Sequence, residues 1–456
     1  METSVKPIVL MNLVSISCCF TLLGTTVAHG APATATPKSA QSPAGAIACD
    51  EDHALLVKPD GKVFAWGGND HGQLGDGTVV DSATGVTVAN VIGITAVAAN
   101  HSFSMALRDD GTVWTWGSNE WGQLGDGTYD SRPVPAQVSG LGGIVAISAG
   151  SMHALALKND GTVWTWGSND NFRLGDGTAI DRVTPRSVPG LTAIVAIAAG
   201  ELNNAGVSRD GSIWRWGVIP GLDRGAETAG ALDPRRTRSK HGMSGASARM
   251  KEGDHMPGVP SRIFELAGAR SVAVGLHNLL VLKNDGTIWI AGENDVGQLG
   301  DETKNANWTS LAQVTGLTGV VAIAARSENL LALQADGTAW EWGSSAGLSV
   351  ISGAFESARP QLVPRLVDVV AIATGGDNNF AVRRDGTGAG WGADWADRIA
   401  PPTSAANGNG FDRLAPRDGE SFAPAKGNRA GGGAAKSPPA APDLSVTPSR
   451  AASRLP

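Results

Sequence analysis

The chain has 456 residues, 61 of them glycine, with 17% charged side chains and a formal net charge of −7. That balance argues against nucleic acid as a bulk electrostatic partner, since phosphate binding needs a basic face. Length alone suggests several domains, but an internal repeat overrides that expectation and leaves one large closed unit.

Residues 1–30 read as a secretory signal. Lys6 gives a basic start, Ile8 to Leu23 is mostly apolar, and the small residues from Val27 to Ala31 offer cleavage near Ala28 or Gly30. The alternative is a single membrane anchor, but the stretch is short and poorly apolar against the roughly 20 residues a span needs. The expectation is an exported chain, periplasmic or extracellular, with no stable span after cleavage. Residues 31–44 are rich in Ala, Pro, Thr and Ser and read as a linker. Cys18 and Cys19 fall in the leader, so the mature chain keeps only Cys49. One cysteine closes no internal disulfide, and its strand-like context implies a buried, inert thiol.

Residues 45–400 repeat. In the third copy an Asp160-Gly161 turn joins two β-like runs, a strong hairpin signal because glycine accepts positive φ. Equivalent turn glycines are Gly61, Gly111, Gly161, Gly211, Gly286, Gly337 and Gly386, spaced by 50, 50, 50, 75, 51 and 49 residues. Five residues after each turn stands Trp66, Trp116, Trp166, Trp216, Ala291, Trp342 or Trp391, each followed by glycine. Within the third copy, strands are expected over Val145 to Ala149, His153 to Leu157 and Thr162 to Trp166, and near Pro185 to Val188. Seven such copies of about 50 residues with four strands each predict an all-β fold, a seven-bladed β-propeller. The tryptophans then fill the space between blades, where one large aromatic buries about 150–250 Å². The seventh copy shows no clear fourth strand after Trp391-Gly392, which leaves ring closure open to an outer strand from residues 33–42.

The motif from Asp110 to Thr128, with Gly-Gln-Leu-Gly at 72–75, 122–125 and 297–300 and an altered copy at Phe172-Arg173-Leu174-Gly175, resembles the regulator of chromosome condensation repeat. The resemblance covers about residues 45–395 and implies a seven-bladed propeller. It is not specific for function: the family includes nuclear guanine nucleotide exchange factors, ubiquitin-ligase modules and a secreted β-lactamase inhibitory protein. No exchange-factor residue carries over, because the shared motif is structural.

Function on a propeller sits in loops, so departures from the repeat nominate sites. The fourth copy lacks the Gly-Gln-Leu-Gly segment and carries an insertion at about 218–260, locally basic through Arg235, Arg236, Arg238 and Lys240. It reads either as a grip for an acidic partner or as a solvated segment. The position eight before each turn glycine holds His53, Phe103, His153, Asn203, Asn278, Asn329 and Asn378. Those polar residues read either as a channel-mouth rim or as side chains bonding the neighbouring blade. No ligand spacing accompanies the histidines, so no metal is expected. The loops after each Trp-Gly place Asn119, Glu120, Trp121, Asp170, Phe172 and Asn294 on one rim. Aromatics beside carboxylates are typical of protein contacts. One Asp per loop is too few for a calcium cage. Residues 401–456 are rich in Pro, Ala and Gly and read as a disordered tail.

There is no Gly-x-Ser-x-Gly elbow, phosphate-binding Gly-Lys-Ser/Thr loop or His-Glu-x-x-His. The expectation is a monomeric, non-catalytic exported propeller that needs no cofactor and binds a protein or a surface polymer through rim loops. The alternatives are an exchange factor for a small GTPase, as the resemblance allows, and a lyase or hydrolase with its site at the channel mouth.

Overall fold

The computed structural model describes residues 46–218, 258–304, 308–345 and 356–392, and the backbone of 411–413. They form seven four-stranded sheets, each built from one contiguous piece of chain. The first blade is β1 (Ile47–Cys49), β2 (His53–Val57), β3 (Val63–Gly67) and β4 (Ser82–Thr87). The second is β5 (Ile94–Asn100), β6 (Phe103–Arg108), β7 (Val113–Gly117) and β8 (Arg132–Gln137), and the third is β9 (Ile144–Ala149), β10 (His153–Lys158), β11 (Val163–Gly167) and β12 (Arg182–Ser187). The fourth runs β13 (Ile194–Ala199), β14 (Asn203–Ser208), β15 (Ser212–Gly217) and β16 (Ser261–Glu265), and the fifth β17 (Ala269–Val274), β18 (Asn278–Lys283), β19 (Ile288–Gly292) and β20 (Trp308–Gln313). The sixth is β21 (Val320–Arg326), β22 (Asn329–Gln334), β23 (Ala339–Ser344) and β24 (Glu356–Leu362). The seventh is β25 (Val369–Thr374), β26 (Asn378–Arg383), β27 (Gly388–Gly392) and β28 (Phe411–Arg413). The all-β, seven-bladed expectation holds, and the four strands of the third copy fall where the repeat placed them.

Each hairpin between the second and third strands is made by the Asp-Gly turn. In the third blade Leu157 pairs with Val163, and the Gly161 amide closes the turn onto the Lys158 carbonyl at 2.9 Å. Asp160 caps it by accepting from the Thr162 amide (2.9 Å) and hydroxyl (2.6 Å). Gly161 is required twice over: its φ is +83°, and a Cβ there would stand 2.8 Å from Ala193 Cα in the fourth blade. Its carbonyl meanwhile accepts the Ile194 amide at 3.1 Å, so one turn also ties two blades together.

First strands neighbour one another around the ring, and β1 lies against β25 and β26. The first and last blades meet in an apolar cluster holding Ile47, Leu56, Trp66, Phe380 and Val382. Trp66 meets Phe380 edge-on with ring centroids 5.6 Å apart. Closure is therefore by face packing, and no blade mixes the two ends of the described chain. The seventh blade takes its fourth strand from 411–413, which pairs parallel with β27 where all other pairs are antiparallel. That strand lies past the boundary at 400 read from composition. The alternative donor, residues 33–42, lies outside the described residues.

Trp66, Trp116, Trp166, Trp216, Trp342 and Trp391 are all fully buried. At roughly 25 cal/mol per Å², an upper estimate, each contributes about 4–6 kcal/mol of burial. Cys49 is buried as well.

Candidate functional site

The turns between first and second strands and the loops between third and fourth strands share one rim. Backbone bonds join them, as from the Gly68 amide to the Asp52 carbonyl at 2.7 Å and from Ser168 to Met152 at 2.9 Å. The Asp-Gly turns occupy the opposite rim.

In the first, second, third and fifth blades the loop between third and fourth strands is built around a buried asparagine. Asn119 is fully buried. Its Oδ1 accepts the Leu124 amide at 2.9 Å, and its Nδ2 donates to the Thr128 carbonyl at 3.0 Å. Asn69 and Asn169 repeat this with Leu74 and Leu174, and Asn294 with Leu299 and Thr303. This corrects the sequence reading for Asn119 and Asn294. They are not contact residues, because both polar side-chain atoms are spent inside the loop. Asp126 and Asp176 cap the same loops. Burial alone would raise these carboxyls, but bonds from Thr128 and Arg132, and from Thr178 and Arg182, outweigh it and hold both below the usual range.

Glu120 and Asp170 are exposed, and Trp121 and Phe172 are half-buried on the same rim. Trp121 is oriented by its own amide, which donates to Gln123 Oε1 at 2.9 Å. Trp121 and Phe172 are not equivalent positions. Phe172 replaces the glycine seen at 72, 122 and 297, and it keeps that glycine's left-handed backbone at φ +58°. In the first and fifth loops a side chain there would run into backbone: a Cβ would lie 2.5 Å from Pro133 Cα at Gly72 and 2.4 Å from Ala358 Cα at Gly297. In the third loop the facing residue is Gly258, identified by the shared bond from Gly177 (2.6 Å) where Gly77 uses Pro133 and Gly127 uses Val183. A bulky residue at positive φ is an outlier that persists only where its surroundings fix it.

The ring of polar positions at the second-strand starts does not face the channel. His53, His153, Asn203, Asn278 and Asn329 are fully buried, Asn378 nearly so, and Phe103 is part of the apolar core. Several bond the next blade. His53 Nε2 meets Ser104 Oγ at 2.8 Å, His153 Nε2 meets Asn204 Oδ1 at 2.7 Å, and Asn329 donates to Asn379 Oδ1 at 2.9 Å. Burial, helped by Arg173, pushes His153 down to about 3, so it is neutral. These side chains join blades, and the channel-mouth reading is corrected. Asn203, though, leaves Oδ1 without a partner, as does Asn278.

The turns between first and second strands also bond across blades. Ser327 donates to Glu201 Oε1 at 3.3 Å, bracing the sixth blade to the fourth across the fifth. Arg173, standing where Gln123 does, is buried and donates to the Asp170 and Glu201 carbonyls at 2.8 and 3.3 Å, tying the third loop to that brace. Among the described residues no three His, Cys, Asp or Glu side chains converge as metal ligands. Arg235, Arg236, Arg238 and Lys240 lie outside the described residues.

Sequence reading missed the exposed tips. Val79 and Val80, Tyr129, and Ile180 are 58–68% exposed on the loops of the first three blades. The signal was present in the run after each Gly-Asp-Gly-Thr, where an apolar residue recurs at 79–80, 129 and 180.

Residues 60–107, 110–157 and 160–205 match the family model described as the regulator of chromosome condensation (RCC1) repeat. A second model of the same repeat matches 46–73, 94–123 and 144–173. Among solved structures, yeast RCC1 (Prp20) bound to Kap60 is similar at 21% identity and TM-score 0.58, over 72% of this chain and 78% of that one. Prp20p from Saccharomyces cerevisiae, described with its binding properties to Gsp1p and histones, is 21% identical at TM-score 0.57, over 72% and 80%. Human WBSCR16 is 20% identical at TM-score 0.57, over 72% and 83%. At these identities the likeness is one of fold. No curated protein sequence matches the chain.

Proposed function

We propose that this chain, a seven-bladed propeller built on regulator of chromosome condensation repeats, is an exported, non-catalytic module that binds another protein on its loop rim. The observation that carries the reading is the construction of the third-blade loop. A buried Asn169 fixes the loop frame, and Phe172 is held half-exposed beside exposed Asp170 in a backbone conformation that other copies give to glycine. Such a surface loses little entropy on binding. The yeast relatives, one of them solved with Kap60 and the other described as binding Gsp1p and histones, support protein recognition as the kind of work this scaffold does. Export rests on the leader at residues 1–30.

The test is capture from envelope extract and culture medium by the full chain, expressed with its own leader, beside a Trp121→Ala, Phe172→Ala variant. One protein retained by the native chain and lost by the variant supports the reading. Identical partners for both, or none, sinks it. Nucleotide release from a small GTPase, measured in parallel, tests the exchange-factor alternative.

A further inference from the structure

The exposed apolar residues are not scattered. Seven large hydrophobic side chains are exposed among the described residues, and four of them, Val79, Val80, Tyr129 and Ile180, stand at one place in the repeat on three successive blades. Exposed apolar groups gathered on one face mark an interaction site, whereas single ones need no explanation. Two of the tips are also pinned through their backbone. The Val80 amide donates to Thr78 Oγ1 at 3.3 Å while its carbonyl accepts from buried Asn69 Nδ2 at 3.1 Å. Ile180 is held in the same way, by Thr178 at 3.3 Å and Asn169 at 3.2 Å. An apolar side chain with its backbone pinned on both sides is pre-organised for contact.

The charge around the tips has one sign. The loops 69–82, 119–132 and 169–182 hold nine carboxylates and three arginines, a formal −6 of the −7 carried by the whole chain. None of those arginines is exposed. Arg132 and Arg182 are half-buried against Asp126 and Asp176 at 2.7 and 2.6 Å, and Arg173 is buried. Glu120, Asp130 and Asp170 are exposed beside the tips. The Asp-Gly turns of the opposite rim balance their charges, with Lys58, Arg108, Lys158 and Lys283 beside Asp60, Asp110, Asp160 and Asp285.

We infer that the rim of the first three blades takes a basic polypeptide segment of a partner protein. Its lysines or arginines face Glu120, Asp130 and Asp170, and its apolar side chains seat on Val79, Val80, Tyr129 and Ile180. The inference rests on the binding-rim reading and adds the partner's chemistry. Opposite charge steers encounter and rejects acidic chains, while the apolar anchors supply affinity.

The experiment presents the full chain to a random dodecapeptide library and reads the composition of the retained peptides. The same is done with a tip variant (Val80→Ser, Tyr129→Ser, Ile180→Ser), a charge variant (Glu120→Gln, Asp130→Asn, Asp170→Asn) and an opposite-rim control (Ile92→Ser, Val367→Ser), all exposed positions. The expected result is enrichment of peptides combining Lys or Arg with apolar residues. Their affinity should fall roughly tenfold or more in the tip and charge variants and stay unchanged in the control. Enrichment of acidic or uncharged peptides that still depends on the tips overturns this inference and leaves the binding rim standing. Plain polycations bound equally by native chain and tip variant overturn it as mere electrostatics. No enrichment that depends on the rim removes both readings.

Discussion

Trp391 donates its indole N–H to the buried carboxylate of Glu341 at 2.6 Å, replacing a backbone contact used at other blade junctions. There the tryptophan donates to the glutamine carbonyl of the preceding Gly-Gln-Leu-Gly: Trp116 to Gln73 (2.8 Å), Trp166 to Gln123 (2.9 Å) and Trp342 to Gln298 (2.8 Å). The sixth copy has no such segment, and Glu341 stands where Thr115 and Thr165 stand in earlier blades. Its side chain supplies the missing acceptor, also taking Asn379 at 2.9 Å and the Ser345 hydroxyl.

This substitution sets a pH dependence. Burial pushes the Glu341 carboxyl from its ordinary 4.5 up to about 7, with bonds from Ser345, Trp391 and Asn379 opposing. A carboxyl whose folded pKa is raised favours folding while protonated. The contribution is fully present below about 4.5 and falls as pH rises toward about 7, a loss on the order of 3 kcal/mol. His277, raised chiefly by the Glu328 carboxylate facing its Nδ1 at 3.8 Å against the cost of burial, tilts the profile the same way. Urea midpoints of native chain and Glu341→Gln at about pH 5 and about pH 8 separate the two. The native chain should lose more stability across that interval than the variant; parallel losses would refute the assignment.

The tryptophan clamp predicts a graded series. Trp116→Phe removes the N–H together with part of the buried ring volume and should cost about 1–3 kcal/mol, whereas Trp116→Ala should cost about 3–5 kcal/mol. The fourth copy lacks Gly-Gln-Leu-Gly, and the following blade carries fully buried Ala291 in place of the tryptophan. Clamp and acceptor are missing together. Ala291→Trp should therefore destabilise by about 1–3 kcal/mol through overpacking. A gain in melting temperature would show that the two losses are unrelated.

The period, the turn glycines and the buried tryptophans were legible because short-range spacing fixes them. Burial of Asn119 was not, since an asparagine beside an exposed Glu120 looks the same in sequence whether it faces water or its own loop. The second-strand histidines and asparagines were open between two readings for a similar reason. Only the neighbouring blade, about 50 residues away, shows where His53 and His153 point. Phe172 and Glu341 were readable in principle. Aligning the copies residue by residue puts Phe172 on Gly122 and Glu341 on Thr115.

Phe172 should trade stability for binding. Its left-handed backbone costs about 1–2 kcal/mol relative to glycine, and its siblings are glycines at φ +76° to +84°. Phe172→Gly is expected to hold or raise the melting temperature while weakening partner binding. A variant that loses stability and keeps its partner would make the phenyl ring a packing group.

Asn119 and Glu120 are adjacent and should behave oppositely. Asn119→Ala leaves the buried Leu124 amide without its acceptor and should cost about 1–3 kcal/mol or more. Glu120→Ala, at an exposed position, should change stability by no more than about 0.5 kcal/mol. Chemical denaturation of the two single variants checks both, and a large loss at Glu120 would mean that this loop is braced by its surface charge.

Ring closure gives the last prediction. β28 supplies the outer edge of the seventh blade through Gly388 opposite Phe411, Ala389 opposite Asp412 and Gly390 opposite Arg413. The compact unit ends at Arg417. A chain stopping at Arg417 should therefore unfold at the same urea midpoint as the full chain. A chain stopping at Gly410 loses the only parallel strand among the described sheets and uncovers the edge of β27. That should cost about 1–3 kcal/mol and leave an unpaired edge that invites association. The pair of truncations isolates residues 411–417, which include β28, from the rest of the tail. Equal midpoints for both would mean that the seventh blade stands on three strands, held by its contact with the first blade around Trp66 and Phe380.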